Sequence, residues 1–178
     1  RYPGMLPEAK RMLGEILIRK EVAKGEVMLK EGQISHHIIL VGKGMMRQFY
    51  YKGGKDVTEH FSYEGCVLMC IESTLKKEPT KLMIEALEDC IVYLLPYDKL
   101  MQLTEISWEI NMFYRKILEY SLIVSQVKAD SWRFETARER YNLLLSTQPE
   151  VIKRAPLSHI ASYLLMTPET LSRVRSNS

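Results

Sequence analysis

Glu169, Ser172 and Arg173 stand three and four residues apart within the stretch Ala155–Arg175, APLSHIASYLLMTPETLSRVR. On a helix this spacing gathers a carboxylate, a hydroxyl and a guanidinium on one face. Arg is the usual bidentate partner of guanine, and Glu accepts a hydrogen bond from the amino group of cytosine. The face therefore has the chemistry of base reading in a DNA major groove. Thr167, Thr170 and Arg175 flank it, and Lys153 and Arg154 upstream carry charges suited to phosphates. A solvated loop accounts for Lys153 and Arg154 equally well.

Two short helices must hold these residues. Ile160, Ala161, Leu164 and Leu165 form an apolar stripe at helical spacing on the first. A second start signal follows at once: Thr167 is a good N-cap residue, Pro168 suits the first helical position, and Glu169 favours the positive helix N-terminus. Leu171 and Val174 then share the inner face of the second helix. The pattern predicts a helix-turn-helix, with an ordinary helical hairpin as the plain alternative. Leu165 and Met166 occupy the turn, where such motifs often place Gly. A Leu forced to positive φ there costs on the order of 1 kcal/mol.

The formal net charge of +3 lies wholly in residues 133–178, where seven Lys/Arg face four Asp/Glu. A basic segment around the reading helix suits a phosphate backbone. No apolar run approaches the length of a membrane span, and the N-terminus carries no secretory signal pattern. Three cysteines, Cys66, Cys70 and Cys90, make no disulfide framework and suit a reducing, cytoplasmic setting.

In chain order, Pro7 to Lys20 has helical periodicity. Seven of the nine glycines then fall between Gly25 and Gly65. They punctuate short β-type runs, predicted near Val27–Lys30, His37–Val41, Met45–Tyr51, Asp56–Phe61, Leu82–Ala86 and Ile91–Leu95. Gly42-Lys43-Gly44 and Lys52-Gly53-Gly54-Lys55 read as hairpin turns. The fold class is α+β, an antiparallel jelly-roll followed by helices. Met45, Met46, Met69 and Met83 belong in its core.

Beyond Tyr97 the glycines stop. Ile110, Phe113, Ile117, Tyr120, Val124 and Val127 step by three and four, an a/d seam on a long helix. The seam either packs on the chain's own roll or meets a partner helix, and Ile106, Leu118 and Leu122 form a second row for the roll. We assign the seam to the partner. A hinge is expected near Asp130–Ser131, then a helix Trp132–Ser146 with Phe134, Ala137, Tyr141, Leu144 and Leu145 facing inward.

This order of parts resembles the Crp/Fnr family of bacterial transcription regulators. The most telling pieces are KGEVMLKEGQ at Lys24–Gln33, ILVGKGMMRQFY at Ile39–Tyr50, IEALED at Ile84–Asp89 and PETLSR at Pro168–Arg173. ARERYNLLLSTQP, Ala137–Pro149, resembles the branch common in Bacteroidetes-type bacteria. The resemblance implies a cyclic-nucleotide-binding-like sensor roll over residues 1–104, a dimerisation helix over 105–130 and a helix-turn-helix domain over 131–178. It also implies a homodimer on a palindromic operator in double-stranded DNA, with RNA polymerase as a further partner and no membrane. Glu169, Ser172 and Arg173 match the family's Glu-x-x-Ser-Arg reading pattern.

Two departures stand out. Members that bind cyclic AMP carry Gly-Glu and then Arg-Ser-Ala, and here Gly65 precedes Cys66 while Thr80-Lys81-Leu82 holds the second position. Gly65, Cys66, Thr80, Lys81 and Leu82 thus outline a pocket without the bidentate Arg, and the effector is not expected to be cyclic AMP. Oxygen-sensing members need four clustered cysteines, which this chain lacks, so no cofactor is expected. No metal site is expected either: His36–His37 and Glu59–His60 are adjacent pairs, whose side chains diverge on a strand and do not make a cupin-type site. The chain is read as no enzyme. The alternative function is a ligand-free interaction module whose helix-turn-helix no longer reads DNA.

Overall fold

The computed structural model describes residues 5–176. The first helix, α1, spans Pro7–Ile16, with Pro7 in its first turn and Ala9 and Leu13 turned inward. It stops earlier than the periodicity of residues 7–20 suggests. Leu17 turns extended, and β1, Ile18–Val22, pairs antiparallel with β8, Cys90–Pro96. Ile18, Lys20 and Val22 share one face of β1 with Arg19 and Glu21 on the other, an arrangement that suits a strand once a ladder partner exists, and that partner lies about seventy residues on.

Of the other strands, β2 Val27–Leu29, β3 His37–Lys43, β4 Met46–Lys52, β5 Lys55–Ser62 and β7 Met83–Ala86 follow the expected runs closely, and the two-residue β6, Val67–Leu68, lies in none of them. They build two four-stranded antiparallel sheets, ordered β1-β8-β3-β6 and β2-β7-β4-β5. Val22, Ile39, Val41, Met46, Leu68, Ile84 and Val92 fill the space between them. At the tip of the β4–β5 hairpin Gly53 and Gly54 both take positive φ, the two-residue turn that matches the sheet twist. At Gly44, φ +90°, an added Cβ would sit 2.6 Å from the Cys90 Sγ, so only glycine fits.

Helix α2, Ile71–Lys76, lies between β6 and β7, and α3, Tyr97–Ile106, leads out of the roll. The long helix α4 runs from Trp108 to Phe134 and is capped by the Ser107 hydroxyl, which accepts from the Ile110 N–H. It passes straight through the expected hinge at Asp130–Ser131. The break comes at Glu135–Thr136 instead, where Thr136 and Glu139 form a reciprocal capping box that starts α5, Ala137–Thr147. Ser131 does not break the helix because its hydroxyl is used within it, donating to Glu135.

Helices α6 Pro149–Arg154, α7 Leu157–Tyr163 and α8 Pro168–Ser176 complete the chain. Of the row expected to face inward after the hinge, Tyr141 and Leu144 are buried, but Leu145 is exposed and Phe134 is 79% exposed. The C-terminal helices do not stand apart from the roll. Met45 and Phe61 of the roll share one apolar cluster with Tyr141, Leu144, Val151, Ile160, Ala161, Leu164 and Leu171. The Thr58 N–H, on edge strand β5, donates to the Ser162 hydroxyl of α7 at 3.1 Å. Met45, Met46 and Met69 are buried and Met83 is half-buried.

Candidate nucleic-acid interface and the cavity behind it

The turn between α7 and α8 closes in the way a helix C-terminus prefers. The Leu165 N–H donates to the Ser162 carbonyl and the Met166 N–H to the Ala161 carbonyl. This double bond pattern needs a left-handed residue at Leu165, whose φ is +53°. Leu165 therefore leaves the apolar stripe and is exposed, while Ile160, Ala161 and Leu164 stay buried. A Leu in this position costs on the order of 1 kcal/mol, and the helix that follows buries its Leu171 side chain fully in the shared cluster.

Thr167 starts α8 as its cap: its hydroxyl accepts from the Thr170 N–H at 3.2 Å and pairs with the Thr170 hydroxyl. Both threonines thus hold the helix end. Glu169, Ser172, Arg173 and Arg175 are exposed along α8, and Leu171 and Val174 turn inward. Bonds from the helix backbone and from Thr167 hold the Glu169 carboxyl below its ordinary value, so it is ionised and purely an acceptor.

Lys153 and Arg154 lie in the last turn of α6 and not in a loop. Lys153 is exposed and pairs with Glu150 at 2.9 Å. Arg154 differs from the sequence reading altogether. Its guanidinium faces the roll and bonds two carboxylates at once. The Nη1 and Nη2 donate to Glu64 at 2.7 and 3.0 Å, and the Nε and Nη2 to Glu88 at 2.9 and 2.6 Å. Glu64 also accepts from the Gly44 N–H at 2.7 Å. In this arrangement Arg154 clasps α6 to the roll, with four of its five N–H donors committed to carboxylates. Bonds from Arg154 hold the Glu64 carboxyl down to about 2.

The seam on α4 divides. Ile110 and Ile117 are buried, and Ile110 packs with Ile38, Leu95 and Leu100 of the chain's own roll and α3, with Phe113 against the same cluster. Val124 is half-buried, and only Tyr120 and Val127 of the six are exposed. Conversely Ile106 and Leu122, expected to face the roll, are exposed. The exposed apolar line on α4 is Tyr120, Ile123, Val127 and Phe134. Helical spacing alone cannot say which side of a helix a roll will cover.

The outline of an effector pocket also divides. A cavity of about 330 Å³ lies where the roll, α4 and α5 meet, and Cys66 lines it, but Thr80, Lys81 and Leu82 do not. Thr80 is buried elsewhere, exchanging backbone bonds with Gly32 and Gln33, and its hydroxyl accepts from the Leu82 N–H; Lys81 is exposed. Gly65 forms the turn before Cys66 at φ +83°.

Residues not anticipated from sequence line the cavity instead, among them Gln48, His60, Lys128 and Arg140. Lys128 is buried, donates to the Glu59 carbonyl and carboxylate, and lies 4.5 Å from the Trp132 ring centre. Its signal in sequence is a lysine one turn after Val124 and one turn before Trp132, on an otherwise apolar face. Burial, helped by the Lys128 charge, lowers the His60 pKa to about 4, so its ring is neutral near pH 7. Among the described residues no group of three or more His, Cys, Asp or Glu could hold a metal, and no helix is long and apolar enough to cross a membrane.

The family model described as a cyclic nucleotide-binding domain matches residues 19–107. No curated protein sequence matches the chain. Among solved structures, FixK2 from Bradyrhizobium japonicum is similar with a TM-score of 0.74 and 21% identity, over 91% of this chain and 84% of that one. A putative transcriptional regulator of the Crp/Fnr family from Eubacterium rectale gives 0.72 and 15% identity, over 99% and 86%. The c-di-GMP responsive global regulator CLP of Xanthomonas campestris gives 0.68 and 14%, over 96% and 90%. At these identities the likeness is one of fold, and it spans both the roll and the helices after it.

Proposed function

The chain belongs to the cyclic nucleotide-binding domain family, and on that premise we propose that it is a dimeric, DNA-binding transcription regulator of the Crp/Fnr type, without enzymatic activity. The observation that carries the reading is the exposed Glu169, Ser172 and Arg173 face of α8, presented by a correctly closed helix-turn-helix. That the similar solved structures include transcription regulators supports it. The homodimer forms along the exposed apolar line of α4 and reads a palindromic operator, working with RNA polymerase in the cytoplasm. Lys153 supplies phosphate contacts, and Arg154 does so only when its clasp on the roll is open.

A random-sequence duplex selection followed by anisotropy titration tests this reading. Arg173→Ala is expected to weaken the selected operator by about 1–3 kcal/mol and to relax preference at one base position. Lys153→Ala is expected to weaken all sequences alike and to lower the salt slope by about one. Selection of no sequence by the wild-type protein, or an Arg173→Ala protein with unchanged preference, overturns the assignment.

The effector is not a cyclic nucleotide in this reading. A cyclic phosphate needs a desolvated cationic fork, and the exposed Lys81 offers only a mobile point charge away from the cavity. Calorimetry with cyclic AMP or cyclic GMP at about 100 µM is expected to show no binding, since the chain lacks both the Arg that meets the cyclic phosphate and the Glu that holds the ribose in members that bind cyclic AMP, a loss that moves micromolar affinity to millimolar. A micromolar isotherm overturns this.

A further inference from the structure

Two helix ends in the C-terminal half of the chain converge on one side chain. Glu135 caps the C-terminal end of α4 and Leu164 that of α7, and their carbonyls lie where a helix offers no donor of its own. Arg140 bonds both. Its Nε donates to the Leu164 carbonyl at 2.9 Å and its Nη1 to the Glu135 carbonyl at 2.7 Å. The last turn of α7 has no basic residue, so the cation that suits its negative end comes from α5.

Arg140 stands on a fixed base. It lies in the first turn of α5, directly after Glu139 of the capping box, and its N–H donates to the Thr136 carbonyl at 3.0 Å. A planar guanidinium bonded to carbonyls of two helices fixes their relation at once, which a flexible ammonium does not. The point it holds is the one from which α8 is aimed. Leu164 precedes Leu165, whose φ of +53° turns the chain, and Thr167 starts α8 two residues on. The long helix also reaches the end of α7 through Lys128, whose ammonium lies 5.1 Å from the Tyr163 ring centre. That contact tolerates rotation, whereas the Arg140 hydrogen bonds do not. The bonds of Arg154 to Glu64 and Glu88, and of Thr58 to Ser162, run to the roll and not to α4.

We propose that Arg140 is a positioning residue that sets the angle of the reading helix α8 against the long helix α4, and thereby the half-site spacing a dimer accepts. This rests on the reading of α8 as the base-contacting helix and of α4 as the dimer helix. Two half-sites lie one helical turn, about 34 Å, or a multiple of it apart, and one base-pair step is about 3.4 Å. A reading helix free to swing by one step accepts neighbouring spacings; a fixed one accepts a single spacing.

The test compares a duplex carrying one selected half-site with palindromes at the selected spacing and at one base pair more or less. The wild-type protein is expected to lose about tenfold in affinity at either wrong spacing. Arg140→Gln is expected to bind the three palindromes within about threefold of one another, and the single half-site as tightly as wild type. Arg140→Lys keeps the charge without the fork and is expected to lose the spacing preference too. A spacing preference retained by either variant overturns the proposal. So does a folded Arg140→Gln protein that binds the single half-site more weakly, since that loss marks damage to the helix-turn-helix itself.

A second measurement needs no DNA. Arg133 is exposed in the last turn of α4, and Arg133→Gly loosens that turn. Hydrogen exchange at residues 161–167 is expected to rise in Arg133→Gly, and to show no such response when Arg140→Gln is already present. Exchange at 161–167 that ignores Arg133→Gly in the native background overturns the bridge, whether or not the chain reads DNA. Failure of the wild-type protein to select any sequence overturns instead the reading of α8, and the spacing role with it.

Discussion

Ile110→Ala is expected to destabilise the fold by about 2–5 kcal/mol, by the same amount at every protein concentration. Ile110 is 0% exposed and packs with Ile38, Leu95 and Leu100, so truncation leaves a cavity between α4 and the roll. A residue whose contacts lie in a second copy behaves otherwise, because the midpoint of a dimer falls on dilution and loss of the contact removes that dependence. Ile123→Asp provides the contrast. Ile123 is 61% exposed, so the substitution is expected to leave the roll's stability within about 0.5 kcal/mol and to dissociate the proposed dimer. Urea unfolding at two protein concentrations, with sedimentation of both variants, separates the roles. An Ile110→Ala midpoint equal to wild type would show that the helix does not lean on the roll at this residue. A dimeric Ile123→Asp protein would remove the exposed line from the interface.

Arg154→Ala is expected to release the C-terminal helices from the roll, at about 1–3 kcal/mol. The lower end reflects solvent screening, since the side chains of Arg154, Glu64 and Glu88 are 22%, 42% and 33% exposed. Two carboxylates brought together by one guanidinium repel each other when it is removed. The Thr58–Ser162 bond and the shared apolar cluster remain, so the roll itself should stay folded. Hydrogen exchange should rise in α6 to α8 and not in the two sheets; uniform protection in both proteins would show that the clasp contributes nothing.

The same clasp has a pH signature. The Arg154 bonds depress the Glu64 carboxyl to about 2, and Glu88 is lowered by the same guanidinium. On lowering the pH, the unfolded chain takes up these protons first. The clasp's contribution is therefore complete above the ordinary carboxylate range and is lost as pH falls from there toward 2. Acid unfolding of the wild-type protein should steepen in that window, and Arg154→Ala should flatten it.

Much of this fold is legible residue by residue, and the reason is locality. Gly53-Gly54 sets a hairpin, Thr167-Pro168-Glu169 starts α8, and Leu171 and Val174 turn inward, because each outcome depends on residues a turn or two away. The strain at Leu165 is likewise readable from the gap between two start and stop signals. The exposed face of Glu169, Ser172 and Arg173 needed only helical spacing.

Tertiary structure decided what spacing leaves degenerate. The a/d seam of α4 has the same period whether a roll or a partner covers it, so only packing shows that Ile110 and Ile117 are core and Tyr120 and Val127 are surface. Strand β1 begins inside a helical periodicity and β6 has only two residues, and both form because distant ladder partners satisfy their backbones. Arg154 suits a phosphate or a carboxylate equally well. Its partners sit 66 and 90 residues away, and the fold, by bringing Glu88 and Glu64 to one point, made the choice. The cavity is the same kind of outcome: no stretch of sequence contains it, because its walls come from both sheets and from α2, α4, α5 and α7, and their side chains acquire meaning only when brought together.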